Sequence, residues 1–314
     1  MQVLVTGGAG FIGSHLVTAL VAQGDSVRVL DNFRTGKREN LIGLAVELVE
    51  GDIGDWATVT AAVTHCDLIF HLAALVSVPE SVKNPHLNQR INVTGTFNLF
   101  EAARLAGVKR VVYSSSSAVY GNLPQLPARE DSPPAPISPY GAAKWINEIT
   151  AESYRTTFGL EAIGLRYMNV FGPRQDSSSP YSGVLSIFCR AAINSSAVTI
   201  YGDGSQTRDF VFVEDIVHAN LLAAQLPASQ IPPQPIFNVG RGEETTINKI
   251  VEILSELVRH SIPTIYAPER PGDITRSVAD ISRAQAALGF QPQVPVLDGL
   301  NTTLDWFRLS PPSP

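Results

Sequence analysis

The start of the chain alternates short apolar runs with a helical pattern, and this order restricts the fold more than any other feature. Residues 2–6 form an apolar run that ends at Gly7-Gly8, and residues 27–30 form a second run. Between the two runs, residues 11–22 carry apolar side chains at helical spacing. A strand, a glycine turn, a helix and a second strand predict a parallel βαβ unit.

The same alternation continues through the first half of the chain. Uninterrupted apolar runs are typical of strands that are buried on both faces of a parallel sheet. Further runs lie at 68–72, 111–114 and 162–167, and helical patterns lie at about 56–64, 91–106 and 140–157. The pattern predicts an α/β fold, a Rossmann-type doubly wound parallel sheet with helices on both faces.

The second half has a different composition and predicts a smaller, mixed α/β C-terminal lobe. Residues 172–186 are rich in Gly, Pro and Ser, a proline-rich connection lies at 227–235, and helical patterns recur near 246–259 and 282–288. We expect an excursion back to the main sheet near 209–226. A chain of 314 residues is long enough for one large or two unequal domains. The predicted division is a larger domain at 1–168 with a return near 209–240, and a smaller lobe at 169–208 and 241–314.

Charge and composition argue against several classes of partner. The formal net charge is −6 and no block of Lys or Arg occurs, so we expect no nucleic acid and no anionic membrane as a partner. No apolar run approaches the roughly 20 residues of a membrane-spanning helix, and the first strand leaves no room for a signal peptide. Cys66 and Cys189 lie far apart and the His residues are scattered, which predicts no metal site and a cytoplasmic location.

The turn after the first strand has the pattern Gly-x-x-Gly-x-x-Gly, at Gly7, Gly10 and Gly13. Glycine allows a sharp turn and a close approach to a pyrophosphate, and the following helix offers free N–H groups. Asp31 ends the second strand, where a carboxylate can accept hydrogen bonds from the ribose of NAD and repel the 2′-phosphate of NADP. Together these residues predict NAD, although Arg34 and Lys37 keep NADP open. Alone, the glycines could form an ordinary strand–helix turn.

Tyr140 and Lys144 are four residues apart and therefore share one face of a helix. An ammonium group and the positive nicotinamide of NAD both stabilise phenolate, so we expect Lys144 and the cofactor together to lower the pKa of Tyr140 and make it a usable base. Upstream, residues 114–117 are all serine and follow an apolar run, at the end of a strand where the ligand crevice of a parallel sheet lies. A surface Tyr–Lys pair and a serine-rich turn are the alternatives for these two patterns.

These stretches, in this order, resemble the extended short-chain dehydrogenase/reductases of the NAD-dependent epimerase/dehydratase family. The resemblance spans nearly the whole chain. It implies that the larger domain binds NAD and that a nucleotide-linked sugar lies between this domain and the smaller lobe. It rests on the glycine loop, His71-Leu72-Ala73-Ala74, the serine stretch, Tyr140 with Lys144, and residues 166–173, 201–210 and 270–273.

The resemblance also implies roles for individual residues. Ser116, Tyr140 and Lys144 would be the catalytic groups, and the substrate diphosphate would be held by Asn169, Arg208 and Arg270. The expected contacts of NAD are Gly7, Gly10, Phe11, Ile12, Gly13, Asp31, Asn32, Arg34, Lys37, Asp52, Ile53, Leu72, Ala73, Ala74, Asn92, Ser114, Tyr140, Lys144 and Tyr167. Of these, Asp52 and Ile53 would cradle the adenine. The expected contacts of the nucleotide sugar are Val76, Ser77, Ser116, Ser117, Tyr140, Asn169, Gln175, Gly183, Val184, Leu185, Tyr201, Arg208, Arg270, Asp273 and Ser277.

Departures from related patterns favour 4-epimerisation of a UDP-hexose. Members that resemble dehydratases place Asp and Glu after the catalytic hydroxyl, where this chain has Ser117 and Ala118. Arg174 is a candidate for holding a sugar carboxylate, as a decarboxylase or a uronate-acting enzyme requires. Synthases that reduce a 4-keto sugar prefer NADP, which Asp31 opposes. A dehydratase, a decarboxylase, a uronate epimerase or 2-epimerase, and a non-catalytic NAD-binding scaffold remain the alternatives.

The same resemblance predicts that N-acetylated hexoses are accepted. Ser277 stands at the position of a bulky Tyr in epimerases restricted to glucose and galactose, and Val76 stands where those enzymes often have Lys. Gln175 could bond an acetamido oxygen, and Gly183 leaves room for it. A solvated loop serine is the alternative for Ser277.

A homodimer is expected through a four-helix bundle, in which each subunit contributes helices at about 92–106 and 140–157. Phe100 and Trp145 are the apolar residues that we expect outside the core of the subunit.

Overall fold

The computed structural model of the protein describes residues 1–177, 183–269 and 274–309. Strands and helices alternate through the first half, as the sequence predicts. In chain order they are β1 (Gln2–Thr6), α1 (Phe11–Ala22), β2 (Ser26–Asp31), β3 (Val46–Glu50), α2 (Trp56–Val63), β4 (Leu68–His71), α3 (Val78–Lys83), α4 (Pro85–Asn88), α5 (Thr96–Leu105), β5 (Arg110–Ser116), α6 (Pro139–Phe158) and β6 (Glu161–Tyr167).

Shorter strands characterise the second half. Its elements are β7 (Asn169–Phe171), α7 (Val184–Ile193), β8 (Val198–Tyr201), β9 (Thr207–Arg208), β10 (Phe210–Phe212), α8 (Val213–Gln225), β11 (Ile236–Val239), β12 (Thr245–Thr246), α9 (Ile247–Val258), β13 (Thr264–Ala267), α10 (Ser282–Leu288) and α11 (Val296–Leu309). Among the described helices, none is long and apolar enough to cross a membrane.

The main sheet is parallel and has the strand order β11-β6-β5-β4-β1-β2-β3 among the described strands. Apolar side chains of α1 and α8 cover one face, and those of α2, α5 and α6 cover the other. The chain leaves β1 in both directions across the sheet, which opens a crevice at the carboxyl ends of β1 and β4. The predicted doubly wound α/β fold is therefore confirmed.

The strand that returns to the main sheet follows the excursion expected at 209–226 and lies within the wider range of 209–240. β10 lies within the expected excursion at 209–226, but it pairs with β7 in a separate two-stranded sheet. The strand that joins the main sheet is β11, which pairs with β6 and sets Asn238 beside Arg166. The reason is that Phe210 and Phe212 are buried in a different core. An apolar run shows that a strand is buried but does not show in which core.

Two elements of the first half also differ from expectation. β3 was not predicted because its sequence, VELVE, alternates apolar and acidic residues at the edge of the sheet. Charged side chains are common on such edges, where they discourage pairing with other chains. The helix expected at 91–106 begins with a π-helical turn at Gln89–Gly95, and only then continues as α5.

The described part of the second half has a core of its own. Phe171, Phe188, Ile250 and Leu300 belong to it, and the small sheets β8–β13 and β9–β12 surround it. These elements agree with a mixed α/β character, whereas the proposed domain boundaries stay a prediction. The proline-rich end, residues 310–314, lies outside the described residues.

Candidate active site

The glycine loop forms a cradle that residues with a Cβ atom could not form. Gly7 has a positive φ of 71°, and a Cβ there would stand 2.7 Å from the backbone N of Ala73. A Cβ at Gly13 would stand 2.1 Å from the carbonyl oxygen of Gly7. Gly10 caps α1 without any side-chain hydrogen bond, so the first N–H groups of this described helix face the loop. The positive end of the α1 helix dipole and the free N–H groups therefore suit the binding of a pyrophosphate.

Asp31 stands beside this loop at the end of β2. Its carboxylate accepts hydrogen bonds from the backbone N–H groups of Ala9 (3.0 Å) and Phe33 (2.8 Å). Burial raises the pKa of Asp31, and the bonds to Phe33 and Ala9 act in the opposite direction. A carboxylate has about four acceptor positions, so two are left for ribose hydroxyls. The geometry therefore fits the adenosine ribose of NAD.

The expected adenine pocket is assembled at the ends of β2 and β3. The Asn32 amide donates to the Asp52 carboxylate at 3.1 Å, and Ile53 is buried beside them. Lys37 is fixed through its backbone, which donates to the carbonyl of Ala9 at 3.0 Å. The structure thus brings together the residues that the resemblance assigned to this end of NAD.

The loop after β4 is held from behind by two buried groups. The Asn92 amide accepts from the N–H of Leu75 at 2.8 Å and donates to its carbonyl at 2.9 Å. His71 lies between the hydroxyls of Thr6 (2.7 Å) and Thr96 (3.0 Å), and burial lowers its pKa to about 3. Both side chains therefore order residues 72–75, and His71 stays neutral at physiological pH. The expected direct contact between Asn92 and NAD stays a prediction.

Ser116, Tyr140 and Lys144 meet at the end of β5. The Lys144 ammonium donates to the Ser114 carbonyl at 2.8 Å and to the Ser114 hydroxyl at 3.1 Å. The Ser116 hydroxyl is hydrogen-bonded to the Tyr140 phenol, and it also accepts from the N–H of Ala118 at 3.1 Å. The ammonium lies 5.8 Å from the centre of the Tyr140 ring. This arrangement can pass a proton between a bound hydroxyl and Tyr140.

The pKa of Tyr140 differs from the sequence expectation. Burial raises it, and the hydrogen bond with Ser116 is what acts in the opposite direction. Burial lowers the pKa of Lys144 to about 8, and the nearby Glu148 carboxylate opposes that change. Lys144 alone does not lower the pKa of Tyr140, because desolvation of the phenolate dominates and because the ammonium donates to Ser114.

A buried polar row beneath the catalytic residues was missed by the sequence analysis. Ser115, Arg166 and Asn238 are neighbours in register on β5, β6 and β11. Glu148 of α6 accepts from the Ser115 hydroxyl and forms two hydrogen bonds with the Arg166 guanidinium, at 2.9 and 2.7 Å. Both charged side chains are 3% exposed. The spacing of Lys144 and Glu148, one helical turn, was the available signal.

The polar row continues toward the sugar side through Tyr120. Its hydroxyl accepts from Arg166 at 2.8 Å and donates to Asn238 at 2.6 Å. The Asn238 amide in turn donates to the carbonyls of Ala128 (2.9 Å) and Asp280 (3.0 Å). The row therefore ties the catalytic strand to the segment that contains Ser277.

Residues on the expected sugar side fall into two groups. Ser277 and Ser117 line one cavity of about 20 Å³, together with Tyr120 and Met168. Because Ser117 directly follows β5, this cavity behind the catalytic strand brings Ser277 close to the end of β5. Val76 is 65% exposed, and Ser77 caps α3 by accepting from the N–H of Glu80.

Other expected sugar contacts are turned elsewhere or cannot be placed. Leu185 packs into the second-half core, so its side chain does not line the cleft, whereas Val184 is only partly buried. The Gln175 amide donates to the Val170 carbonyl at 3.1 Å, and a Cβ at Gly183 would stand 2.7 Å from that amide. Arg270, Asp273 and residues 178–182 lie outside the described residues.

The remaining polar positions lie on short strands and on the edge of the main sheet. Asn169 begins β7, the Tyr201 carbonyl accepts from Gln206 at 2.8 Å, and Arg208 donates to the Thr207 carbonyl at 2.8 Å. The Tyr167 hydroxyl is bonded to Asn220 at 3.0 Å. Within the described ranges, no group of three or more His, Cys, Asp or Glu could hold a metal ion.

A doubly wound sheet with a glycine cradle, a strand-end aspartate and a Ser–Tyr–Lys group defines a dinucleotide-dependent enzyme of the short-chain dehydrogenase/reductase type. Residues 3–240 match the model of the NAD dependent epimerase/dehydratase family. The chain belongs to this family, and NAD is its cofactor.

The relatives are similar over nearly the full length. The chain is 42% identical over 315 residues to UDP-glucose 4-epimerase of Mycolicibacterium smegmatis, covering 98% of this chain and 99% of that protein. UDP-N-acetylglucosamine 4-epimerase of Methanobrevibacter ruminantium, in complex with UDP-N-acetylmuramic acid, has a TM-score of 0.93 and 40% identity, covering 98% of both chains. UDP-glucose 4-epimerase of Thermus thermophilus, in complex with NAD, has a TM-score of 0.91 and 39% identity, covering 99% of this chain and 100% of that chain.

Proposed function

We propose that the protein interconverts UDP-glucose and UDP-galactose by inverting C4 through a transient 4-keto sugar. The observation that carries the proposal is the Tyr140 phenol, hydrogen-bonded to Ser116 at the end of β5 and backed by the buried Lys144. A tuned phenol of this kind has a use in oxidising a sugar hydroxyl, and a non-catalytic scaffold has no need of it. The full-length similarity to UDP-sugar 4-epimerases supports the same reaction.

The chain's own groups move the proton and hold the reactants. NAD would be held by the glycine cradle and by Asp31, and it would supply a reversible acceptor for the C4 hydride. Tyr140 removes the proton of the C4 hydroxyl, with Ser116 as the bridge between them. Because burial raises the pKa of Tyr140, the phenol holds its proton at rest and gives it up only when positive charge is nearby. Bound oxidised NAD would supply such a charge, whereas the Lys144 ammonium donates to Ser114 and does not offset the burial of Tyr140.

The structure argues against two alternative reactions. Ser117 and Ala118 follow Ser116, and the buried Glu148 carboxylate is bound to Arg166 and Ser115, so these positions offer no acid for a dehydratase. Arg174, the candidate for a sugar carboxylate, approaches Thr18 on α1 at 3.4 Å, and the carbonyl before it is bonded to His15. That location is away from Ser116 and gives a decarboxylase no anchor.

N-acetylated hexoses belong to the same proposal. Ser277 is a small residue in the cavity behind the catalytic strand, so its own side chain leaves space that a Tyr at this position would fill. The similarity to a UDP-N-acetylglucosamine 4-epimerase points in the same direction. We therefore include UDP-N-acetylglucosamine and UDP-N-acetylgalactosamine among the substrates.

A homodimer through α5 and α6 is also part of the proposal, with different residues from those expected. Phe100 is fully buried in the subunit core, whereas Trp145 packs on Val119 and Tyr120 but is only partly buried. The exposed apolar residues on these helices are Phe97, Leu105, Ile146, Ile149 and Phe158. A second copy could cover them by a two-fold pairing.

Two experiments test these assignments. Incubation of the purified protein with a panel of UDP-sugars, without added NAD, should give the C4 epimer of each substrate. Products that have lost water or carbon dioxide would contradict epimerisation and would indicate a dehydratase or a decarboxylase instead. Light scattering should give a dimer mass, and Ile149→Glu should shift it to the monomer. A monomer mass for the unaltered protein would refute the pairing.

Buried, unpaired thiols at Cys66 and Cys189 favour a reducing, cytoplasmic site of action.

A further inference from the structure

Arg34 lies three residues after Asp31, at the adenosine end of the cofactor site. Its guanidinium forms an ion pair with the Glu80 carboxylate of α3, which approaches from the opposite side of the crevice. The two side chains are 37% and 32% exposed, so each is partly enclosed. The sequence alone left Arg34 and Lys37 as the residues that kept NADP open.

Both ends of this ion pair are anchored by other hydrogen bonds. The N–H of Arg34 donates to the Asn32 side chain at 3.1 Å, and Asn32 is itself bonded to Asp52. On the other side, the N–H of Glu80 donates to the Ser77 hydroxyl at 3.1 Å. The direction of each side chain is thus set by the local backbone.

The neighbouring arginines show the same arrangement. Arg38 is paired with Glu50 and lies 4.1 Å from the ring of Phe33, and Arg90 is 3.6 Å from Asp52. The ends of β2 and β3 and the helices beside them therefore present arginines that are already bound to carboxylates. A free guanidinium beside an adenosine ribose is the usual partner of the 2′-phosphate of NADP.

We propose that Glu80 is a determinant of cofactor specificity, because it holds Arg34 and keeps this charge from a 2′-phosphate. Asp31 then disfavours NADP by repelling its 2′-phosphate. Glu80 disfavours NADP in a second way, because it binds Arg34, the cationic residue closest to Asp31 in sequence. The proposal rests on the proposed use of NAD at this site. It concerns dinucleotide choice and leaves the groups around Ser116 untouched.

The test measures which dinucleotide the protein holds, independently of turnover. The purified holoenzyme is equilibrated against equal concentrations of NAD and NADP, denatured, and its bound dinucleotides are quantified by mass spectrometry. Glu80→Gln should raise the bound NADP-to-NAD ratio about fivefold, the size expected when one partly exposed ion pair is released. Glu80→Asp, which keeps the charge, should stay closer to the unaltered protein.

Two further variants identify the cause. The double variant Arg34→Gln/Glu80→Gln should return to the original ratio, because the released guanidinium is then absent. Glu152→Gln, which breaks the exposed pair with Arg155 on α6, should leave the ratio unchanged. The proposal is overturned if Glu80→Gln leaves the ratio unchanged, or if the double variant keeps the gain, since Glu80 would then act by its own repulsion. Absence of NAD from the unaltered protein would instead contradict the proposed function.

Discussion

The two sides of the cleft are built in different ways. The cofactor side is formed by the carboxyl ends of the strands in one continuous parallel sheet. Gly7, Asp31 and Ser116 each follow or end a strand of five to seven residues there. The sugar side consists of strands of two to four residues and the loops between them. Long paired strands fix a side chain through many backbone bonds, whereas short pairs leave position to a few local contacts.

This difference separates the chemistry from the choice of substrate. Hydride and proton transfer need atoms held within fractions of an ångström, which a sheet edge provides. Substrate choice requires only that one wall of the cavity be changed, and a loop can change without disturbing the sheet. The polar row through Glu148, Arg166, Tyr120 and Asn238 is the part that both sides share.

The largest effect is expected from breaking that shared row. Glu148→Gln leaves the Arg166 guanidinium buried without a counter-charge, which costs about 3 kcal/mol or more of the free energy of unfolding. Denaturant unfolding of the variant measures this loss. Glu152→Gln is the matched control on the same helix, and its exposed pair should contribute about 1 kcal/mol or less. Equal losses of unfolding free energy in both variants would show that the buried row stabilises the fold no more than an exposed ion pair does.

On the cofactor side, Tyr140→Phe removes the base while leaving the fold in place. Turnover should fall by a factor on the order of 10² or more, because proton transfer loses its only proposed acceptor. Bound NAD, measured by its absorbance after denaturation, should stay near that of the unaltered protein. Epimerisation at the original rate would remove Tyr140 from the mechanism.

Asp31→Ala tests the cofactor side at the end of β2, where the adenosine of NAD is expected. The variant loses charge-assisted bonds to the ribose and the repulsion of a 2′-phosphate, so NAD affinity should fall about tenfold and NADP should be discriminated against less strongly. Isothermal titration with both dinucleotides measures the two affinities. If affinity and preference are both unchanged, the carboxylate serves only its bonds to Ala9 and Phe33.

The smallest and most selective effect is expected on the sugar side. Ser277→Tyr fills the cavity behind the catalytic strand, so kcat/KM for UDP-N-acetylglucosamine should fall about tenfold while that for UDP-glucose is largely spared. Ser277→Ala is the control, because it keeps the cavity open. If the unaltered protein does not epimerise UDP-N-acetylglucosamine, the gate assignment is wrong and the substrates are the simple hexoses.

The same contrast explains what the sequence could predict. The bounds of β1, α1 and β2 and the α/β fold followed from apolar runs and spacing, since local periodicity reports burial directly. Phe100 was misassigned because periodicity shows that a face is buried but not whether its own subunit or a partner buries it. The pairing of Glu148 with Arg166 was missed because it joins a helix to a strand across the fold.

On the sugar side, local patterns carried less information. Leu185 was expected at the substrate, yet its side chain packs into the second core, because a position at a helix start does not fix which way a side chain turns. Ser277 shares a cavity with Ser117, the residue after the catalytic strand, and it was singled out because the resemblance supplied a register that no periodicity contains. Its role stays a prediction.

The late position of β11 in the chain has a consequence for protein synthesis. When the ribosome has made β6, this strand still lacks the neighbour that covers its outer edge, because Ile236–Val239 has not yet emerged. An open strand edge is a template for pairing with other chains. A nascent chain is therefore exposed to aggregation until that segment arrives, and a product that stops before residue 236 should precipitate instead of forming a smaller NAD-binding protein.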